Sequence, residues 1–179
     1  MSTNGSDTNH IDVGMDTGVI AAAAVHELVE RRQTVAVAES LTGGLLAATF
    51  VEIPGVSSVF RGGLVVYATD LKHSLAGVPE TLLADRGPVD RDVAEALAEG
   101  ARARCGADWG LATTGVAGPE PQDGKPVGMV FVAVAGPGGA VVRELSLSGS
   151  RSAIRHDTMT SAFALLVDEL RKVDAGMRR

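Results

Sequence analysis

The run Thr34-Val35-Ala36-Val37-Ala38 is apolar almost throughout and passes directly into Glu39-Ser40-Leu41-Thr42-Gly43-Gly44 and then an apolar helix. A β-branched and alanine-rich strand without a polar side has no face to give to water, so it must lie inside a sheet covered by helices on both faces. Three further apolar runs, Leu64–Ala68, Trp109–Thr114 and Val127–Ala135, read as strands of the same kind. Val141–Ser148 alternates enough to be a more exposed strand. It is joined to the preceding run by Gly136-Pro137-Gly138-Gly139, which predicts an antiparallel hairpin.

Between these runs the apolar spacing is helical. Thr17–Arg32 has Thr17 as its expected N-cap and Ala22, Val25, Leu28 and Val29 as its inner face. Leu45–Val51, Asp70–Ala76 and Pro79–Ala84 read as short helices. Arg91–Arg104, capped by Asp90, turns Val93, Leu97 and Ala101 inward. Ser152–Lys172 turns Met159, Ala162, Phe163, Leu166 and Leu170 inward. Strands alternating with helices and ending in a hairpin imply an α/β fold, a three-layer α/β/α sandwich with a mixed, mostly parallel sheet of about five strands. One domain is expected over residues 17–173. It lies between a polar, disordered N-terminal tail (1–16) and a polar C-terminal tail (174–179).

Composition excludes several classes of function. The 179 residues carry 16 Lys and Arg against 22 Asp and Glu, a net charge of -6, and only 3% are aromatic. Such a chain lacks both the basic face and the stacking platforms that nucleic acids require, so no nucleic-acid partner is expected. The one cysteine, Cys105, permits no internal disulfide and no cysteine-based zinc site. No apolar run is long enough to span a membrane and no signal peptide is evident, so a cytoplasmic location without membrane association is expected. His26-Glu27-Leu28-Val29-Glu30 has glutamate where a zincin helix needs its second histidine. Gly118–Lys125 has the wrong spacing for a P-loop, and Pro126 stands where a magnesium-holding hydroxyl should be. Neither a metal nor a cofactor is expected.

Four groups of residues remain, all after strands or at helix starts, where an open α/β sheet collects its ligands. In the first, Ser40 is followed by Thr42, Gly43 and Gly44. It reads either as a nucleophile facing exposed backbone N–H groups or as an ordinary N-cap and glycine turn. Tyr67 and Lys72 read either as a hydroxyl and a confined amine able to act on a serine, or as surface residues. Thr114, Gly115 and Gly118 form a small-residue loop that lets a ligand approach the backbone. Arg151 and Arg155 lie four apart at a helix start, where cations oppose the helix dipole. An anion bound there, such as a phosphate, would account for them, and so would plain solvent exposure.

Together the segments Ala38-Glu39-Ser40-x-Thr42-Gly43-Gly44, Arg61-Gly62-Gly63 with Tyr67 and Lys72, Thr114-Gly115-x-Ala117-Gly118-Pro119, Lys125-Pro126-Val127-Gly128 and Gly149-x-Arg151 resemble the CinA C-terminal domain family of bacterial nicotinamide-nucleotide amidohydrolases. The resemblance covers about Ala21–Lys172. It implies a stand-alone form of that domain which hydrolyses the carboxamide of nicotinamide mononucleotide (NMN) to nicotinate mononucleotide and ammonia. Ser40 would be the nucleophile, activated by Lys72 or Tyr67. Thr42, Gly43, Gly44, Thr114, Gly115, Gly118, Arg151 and Arg155 would surround the nucleotide, and a homodimer is compatible with the family. A regulatory protein that binds pyridine nucleotides, and an amidohydrolase for another carboxamide, are the alternatives. The chain departs from the family pattern at Leu41, where cysteine is common, at Ser150, where aspartate is common, and in a shorter loop at Glu120–Gly124.

Overall fold

The computed structural model describes residues 16–177, with side chains through Lys172. The expected N-terminal tail therefore lies almost wholly outside the described residues. The elements in chain order are α1 (Thr17–Arg31), β1 (Val35–Glu39), α2 (Leu45–Val51), a 3-10 turn (Val56–Ser58), β2 (Phe60–Val65), α3 (Thr69–Ser74), α4 (Glu80–Arg86), α5 (Arg91–Cys105), β3 (Trp109–Gly115), β4 (Met129–Gly136), β5 (Gly139–Ser146) and α6 (Arg151–Met177).

The five strands form one mixed sheet in the order β2-β1-β3-β4-β5. β1 pairs in parallel with both β2 and β3, whereas β4 is antiparallel to β3 and to β5. Four strands therefore point the same way and β4 alone is reversed. The β4–β5 hairpin closes with Gly136 opposite Gly139, as the glycine-rich turn predicts. β1 sits between two parallel neighbours and all five of its residues are buried, which is why its sequence has no polar alternation.

Strand alternation sorts the core into two layers. Val35 and Val37 of β1, Trp109 and Leu111 of β3, and Val130, Val132 and Val134 of β4 pack against α1, α2 and α6. Phe50 of α2 joins that layer to the sheet edge by stacking on Phe60, and to α6 by an edge-on contact with Phe163, each at 4.9 Å between ring centres. The other face is lined by Ala36, Ala38, Ala112, Ala133 and Ala135, which meet Ala94, Ala98 and Ala101 of α5. Because both surfaces are built from small residues, α5 settles almost onto the backbone of the sheet. A Cβ at Gly110 would lie only 1.9 Å from the carbonyl oxygen of Ala98.

Several boundaries differ from the sequence reading. Asp16, and not Thr17, caps α1 by accepting from the Gly18 N–H, and the inner face of α1 is Ile20, Ala21, Ala24, Val25 and Leu28, with Ala22 and Val29 turned outward. In a stretch of four consecutive alanines the sequence cannot specify the rotation of the helix. The second strand lies earlier than Leu64–Ala68: it includes Gly62 and Gly63 and ends at Val65, so Tyr67 is on a loop. Gly63 is needed there because a Cβ would sit 2.7 Å from the side chain of Val37 in the neighbouring strand. α6 continues past Lys172 to Met177.

Gly110→Ala tests the close approach of α5. In an open strand this exchange is favourable, since alanine loses less backbone entropy than glycine. Here overpacking outweighs it, and a loss of about 1–3 kcal/mol in urea unfolding is expected. Gly138→Ala, whose Cβ meets nothing within 4 Å, should leave stability nearly unchanged.

Candidate functional site

β1 delivers Ser40 one residue beyond its carboxyl end, where the Ser40 N–H still donates to the Thr113 carbonyl of β3 at 3.1 Å. Successive residues of a strand face opposite ways. Glu39 accordingly turns toward α2, and Ser40 toward α3. α3 starts four residues after β2 and brings Lys72 back under the strand ends. Its position is fixed by a hydrogen bond from the Val78 N–H to the Lys72 carbonyl at 3.0 Å.

Lys72 is 1% exposed although it is a lysine on a six-residue helix. Its Nζ donates to Ser40 Oγ at 3.1 Å, to the Val66 carbonyl at 2.8 Å and to the Tyr67 carbonyl at 3.3 Å. These three acceptors match the three protons of an ammonium. Loss of water around the charge lowers the pKa from its usual 10.5 to about 8. In the neutral amine the two carbonyls retain the two remaining protons, which leaves the lone pair directed at Ser40 Oγ.

Around this pair the structure opens a cleft with about 550 Å³ of empty space including its mouth. Of the residues singled out from the sequence, Ser40, Tyr67, Lys72, Thr114, Gly115, Gly118 and Arg151 line it. Thr42, Gly43, Gly44 and Arg155 do not. Thr42 is buried, with its hydroxyl 2.8 Å from that of Thr113. Thr114 donates its hydroxyl to the Pro88 carbonyl at 2.6 Å. The loop after β3 is held close to β4: a Cβ at Gly115 would be 2.7 Å from Val130, and one at Gly118, where φ is +83°, would be 2.8 Å from Val127.

Tyr67 is 57% exposed, and its hydroxyl accepts from Arg151 Nη2 at 2.9 Å. It is the Tyr67 backbone carbonyl, not the phenol, that touches Lys72. Arg151 also donates to the Gly118 carbonyl, so its guanidinium ties the α6 start to the Tyr67 loop and the post-β3 loop at the rim of the cleft. Arg155, one turn later, points elsewhere. Its Nε donates to the Leu41 carbonyl at 2.9 Å and its Nη2 to the Thr42 carbonyl at 2.8 Å. Backbone carbonyls thus supply the negative partners that both arginines need at a helix start.

The hydrogen bonds of the turn after β1 can be followed group by group. The Gly43 N–H donates to the Ser40 carbonyl and the Leu45 N–H to the Thr42 carbonyl. The Gly44 N–H is taken by Glu39 Oε2 at 3.0 Å. The glycine N–H groups expected to face a ligand are therefore already occupied. Among the described residues, the N–H groups of Leu41, Thr42, Ala117 and Gly118 meet no protein acceptor. Leu41, Ala117 and Gly118 line the cleft.

Two departures from the family pattern have simple structural places. The Leu41 side chain is buried in the core layer beneath α1, α2 and α6. Ser150 caps α6 by accepting from the Ala153 N–H at 3.2 Å, a task that aspartate performs equally well. The residue that sequence reasoning passed over is Glu39, 0% exposed, whose carboxylate faces the start of α2. An acidic side chain at the end of an all-apolar strand was the available signal. No group of three or more His, Cys, Asp or Glu residues suited to a metal ion occurs among the described residues, and no described helix is long and apolar enough to cross a membrane.

The comparisons with known proteins agree with this architecture. The CinA C-terminal domain family matches residues 18–170. A CinA-like protein of Frankia casuarinae is 51% identical over 150 residues, covering 84% of this chain and 34% of that protein. A CinA-like protein of Gloeobacter violaceus is 46% identical over 160 residues, covering 88% of this chain and 38% of that protein. The chain thus spans little more than a third of the length of these curated relatives. Among solved structures, a CinA superfamily protein of Klebsiella pneumoniae superposes with a TM-score of 0.85 at 26% identity, covering 88% of this chain and 99% of that one. The competence/damage inducible protein CihA of Agrobacterium tumefaciens gives 0.83 at 34% identity, covering 88% and 96%. With a match along nearly its whole described length, the chain belongs to the CinA C-terminal domain family.

Proposed function

We propose that this protein is a serine amidohydrolase whose substrate is nicotinamide mononucleotide, converted to nicotinate mononucleotide and ammonia. The observation that carries the reading is the buried pair of Lys72 and Ser40, 3.1 Å apart, with an amine whose pKa of about 8 leaves a usable neutral fraction at physiological pH. A lysine of ordinary pKa would be almost wholly protonated there and could not accept a proton.

In the reaction, neutral Lys72 takes the proton of Ser40 Oγ as the oxygen attacks the carboxamide carbon. The carbonyl electron pair moves onto oxygen, and unoccupied backbone N–H groups of the cleft, such as those of Leu41, Ala117 and Gly118, stabilise the charge. When the tetrahedral intermediate collapses, the C–N bond breaks and the Lys72 ammonium returns its proton to the departing nitrogen, which leaves as ammonia. Water then gives a proton to Lys72, adds to the acyl carbon and releases the carboxylate, and Ser40 recovers its proton. Tyr67 has no hydroxyl contact with either reacting group, so the proton passes directly between Ser40 and Lys72. Arg151, at the rim, would meet the 5′-phosphate through the guanidinium N–H groups that Gly118 and Tyr67 leave over.

Purified protein incubated with NMN should release ammonia. Ser40→Ala and Lys72→Met should each reduce turnover below about a thousandth of wild type while retaining native circular dichroism. Binding of NMN without ammonia release by the wild type would make the protein a binding module instead.

The kcat/KM profile should rise with pH and level off above about 8 as Lys72 loses its proton. Stability carries the matching sign. The folded-state pKa lies below the unfolded one, so between about 8 and 10.5 the unfolded chain binds the extra proton. Burial of the amine opposes folding below this window and ceases to do so above it. Urea unfolding should therefore show the wild type gaining stability relative to Lys72→Met as pH rises from 8 to 10.5.

Arg151→Ala should raise KM for NMN with a smaller change in kcat. An unchanged KM would remove Arg151 from phosphate binding.

A further inference from the structure

Glu39 is a buried carboxylate for which the chemistry above has no use. Its Oε2 accepts from the N–H groups of Gly44 at 3.0 Å and Leu46 at 3.1 Å, and its Oε1 from that of Ala47 at 2.9 Å. These are backbone donors at the start of α2 that would otherwise be left without partners. The carboxylate comes from the residue immediately before Ser40, so the side chain folds the far end of the turn back onto the strand that carries the nucleophile. On the other side, Arg155 reaches across from α6 and takes the carbonyls of Leu41 and Thr42. One charge holds the donors of the turn and the opposite charge holds its acceptors.

We propose that Glu39 and Arg155 are the positioning residues of the nucleophile. Between them they fix the Ser40–Gly44 turn so that Ser40 Oγ stays on the Lys72 side and the Leu41 N–H stays free at the cleft. This assigns Arg155 to the turn rather than to the substrate. The proposal rests on the reading of Ser40 as a nucleophile, but not on NMN as substrate. Neither residue touches the reacting atoms, and each acts through the backbone. A displacement of about 1 Å in such a frame is enough to lower a rate by about a hundredfold. Glutamine at position 39 preserves the volume but offers one acceptor oxygen and places an NH2 group against a backbone donor. Lysine at position 155 keeps the charge but loses the fork that spans two carbonyls.

The test uses the whole chain and two readouts. The first is labelling of Ser40 by phenylmethylsulfonyl fluoride, followed by intact mass. The serine oxygen displaces fluoride, the S–F bond breaks, the serine proton leaves with the fluoride as HF, and no substrate is required. The second is kcat and KM for ammonia release from NMN. Glu39→Gln and Arg155→Lys are each expected to slow labelling and lower kcat by about tenfold or more with KM within about twofold of wild type. If Glu39→Gln fails to fold, Arg155→Lys and Arg155→Met, at a partly exposed position, carry the test alone. Variants that are less stable but label Ser40 at the wild-type rate would overturn the proposal and leave both residues a purely structural role. A raised KM with unchanged labelling in the Arg155 variants would overturn it in favour of substrate binding. A wild type that resists labelling would overturn it as well, together with the nucleophile reading. Labelling of the wild type without ammonia release, and slowed labelling in the variants, would sustain the positioning role and refute only the choice of substrate.

Discussion

Taking a lysine ammonium out of water is among the least favourable things a small domain can do, and the arrangement of this one follows from having done so at Lys72. The amine needs acceptors at defined places, and two of its three come from main-chain carbonyls just beyond β2. The chain after β2 must therefore leave the sheet in an irregular course and turn at once into α3, so that residue 72 reaches back beneath residues 66 and 67. That path in turn fixes where the loops after β1 and β3 can lie, because the third acceptor is the Ser40 hydroxyl. The cleft is what remains above these constraints.

Much of this was legible in the sequence, and the rest failed for definable reasons. The buried strand β1, the hairpin of β4 and β5 and the mixed sheet followed from apolar patterning and glycine placement, which are local signals. Ser40, Lys72 and Arg151 were found as isolated chemical types and are brought together by the fold. The roles of Tyr67 and Arg155 were not legible. Whether a tyrosine reaches a site with its ring or its main chain depends on where the strand before it stops, and that strand stops at Val65. Arg151 and Arg155 share a helix face by spacing alone, yet one holds the rim and the other a turn behind it. Glu39 is hidden for the opposite reason: embedded in a motif dominated by its serine and glycines, it reads as part of the turn rather than as a partner for α2.

The two charged residues behind Ser40 also show how the chain handles polarity inside a core. Glu39 and Arg155 are not paired with each other. Each is neutralised by backbone dipoles, three N–H groups for the acid and two carbonyls for the base. Such partners cannot rotate away as side chains can, and their directions are set by the secondary structure around them. A turn flanked by glycines at Gly43 and Gly44, both with positive φ, would otherwise be among the most pliant segments of the protein.

The first and last helices lie side by side in one layer, joined by the hydroxyls of Thr17 and Thr160 at 2.7 Å and by Arg171 with Glu27 at 2.8 Å. Among the described elements α1 is the first and α6, its principal helical neighbour, is the last, so the layer they share closes across the whole domain. The same late helix brings Arg151 and Arg155, one for the rim and one for the turn. β1, β2, β3 and α5 lie close in sequence and can pair without α6, yet the cleft has its rim and its turn held only once α6 has docked. A domain without α6 would thus keep α1 and α2 on that face but leave Val130, Val132 and Val134 of β4 uncovered and the carbonyls of Leu41 and Thr42 without their clamp, so that loss of packing and loss of the site would come together.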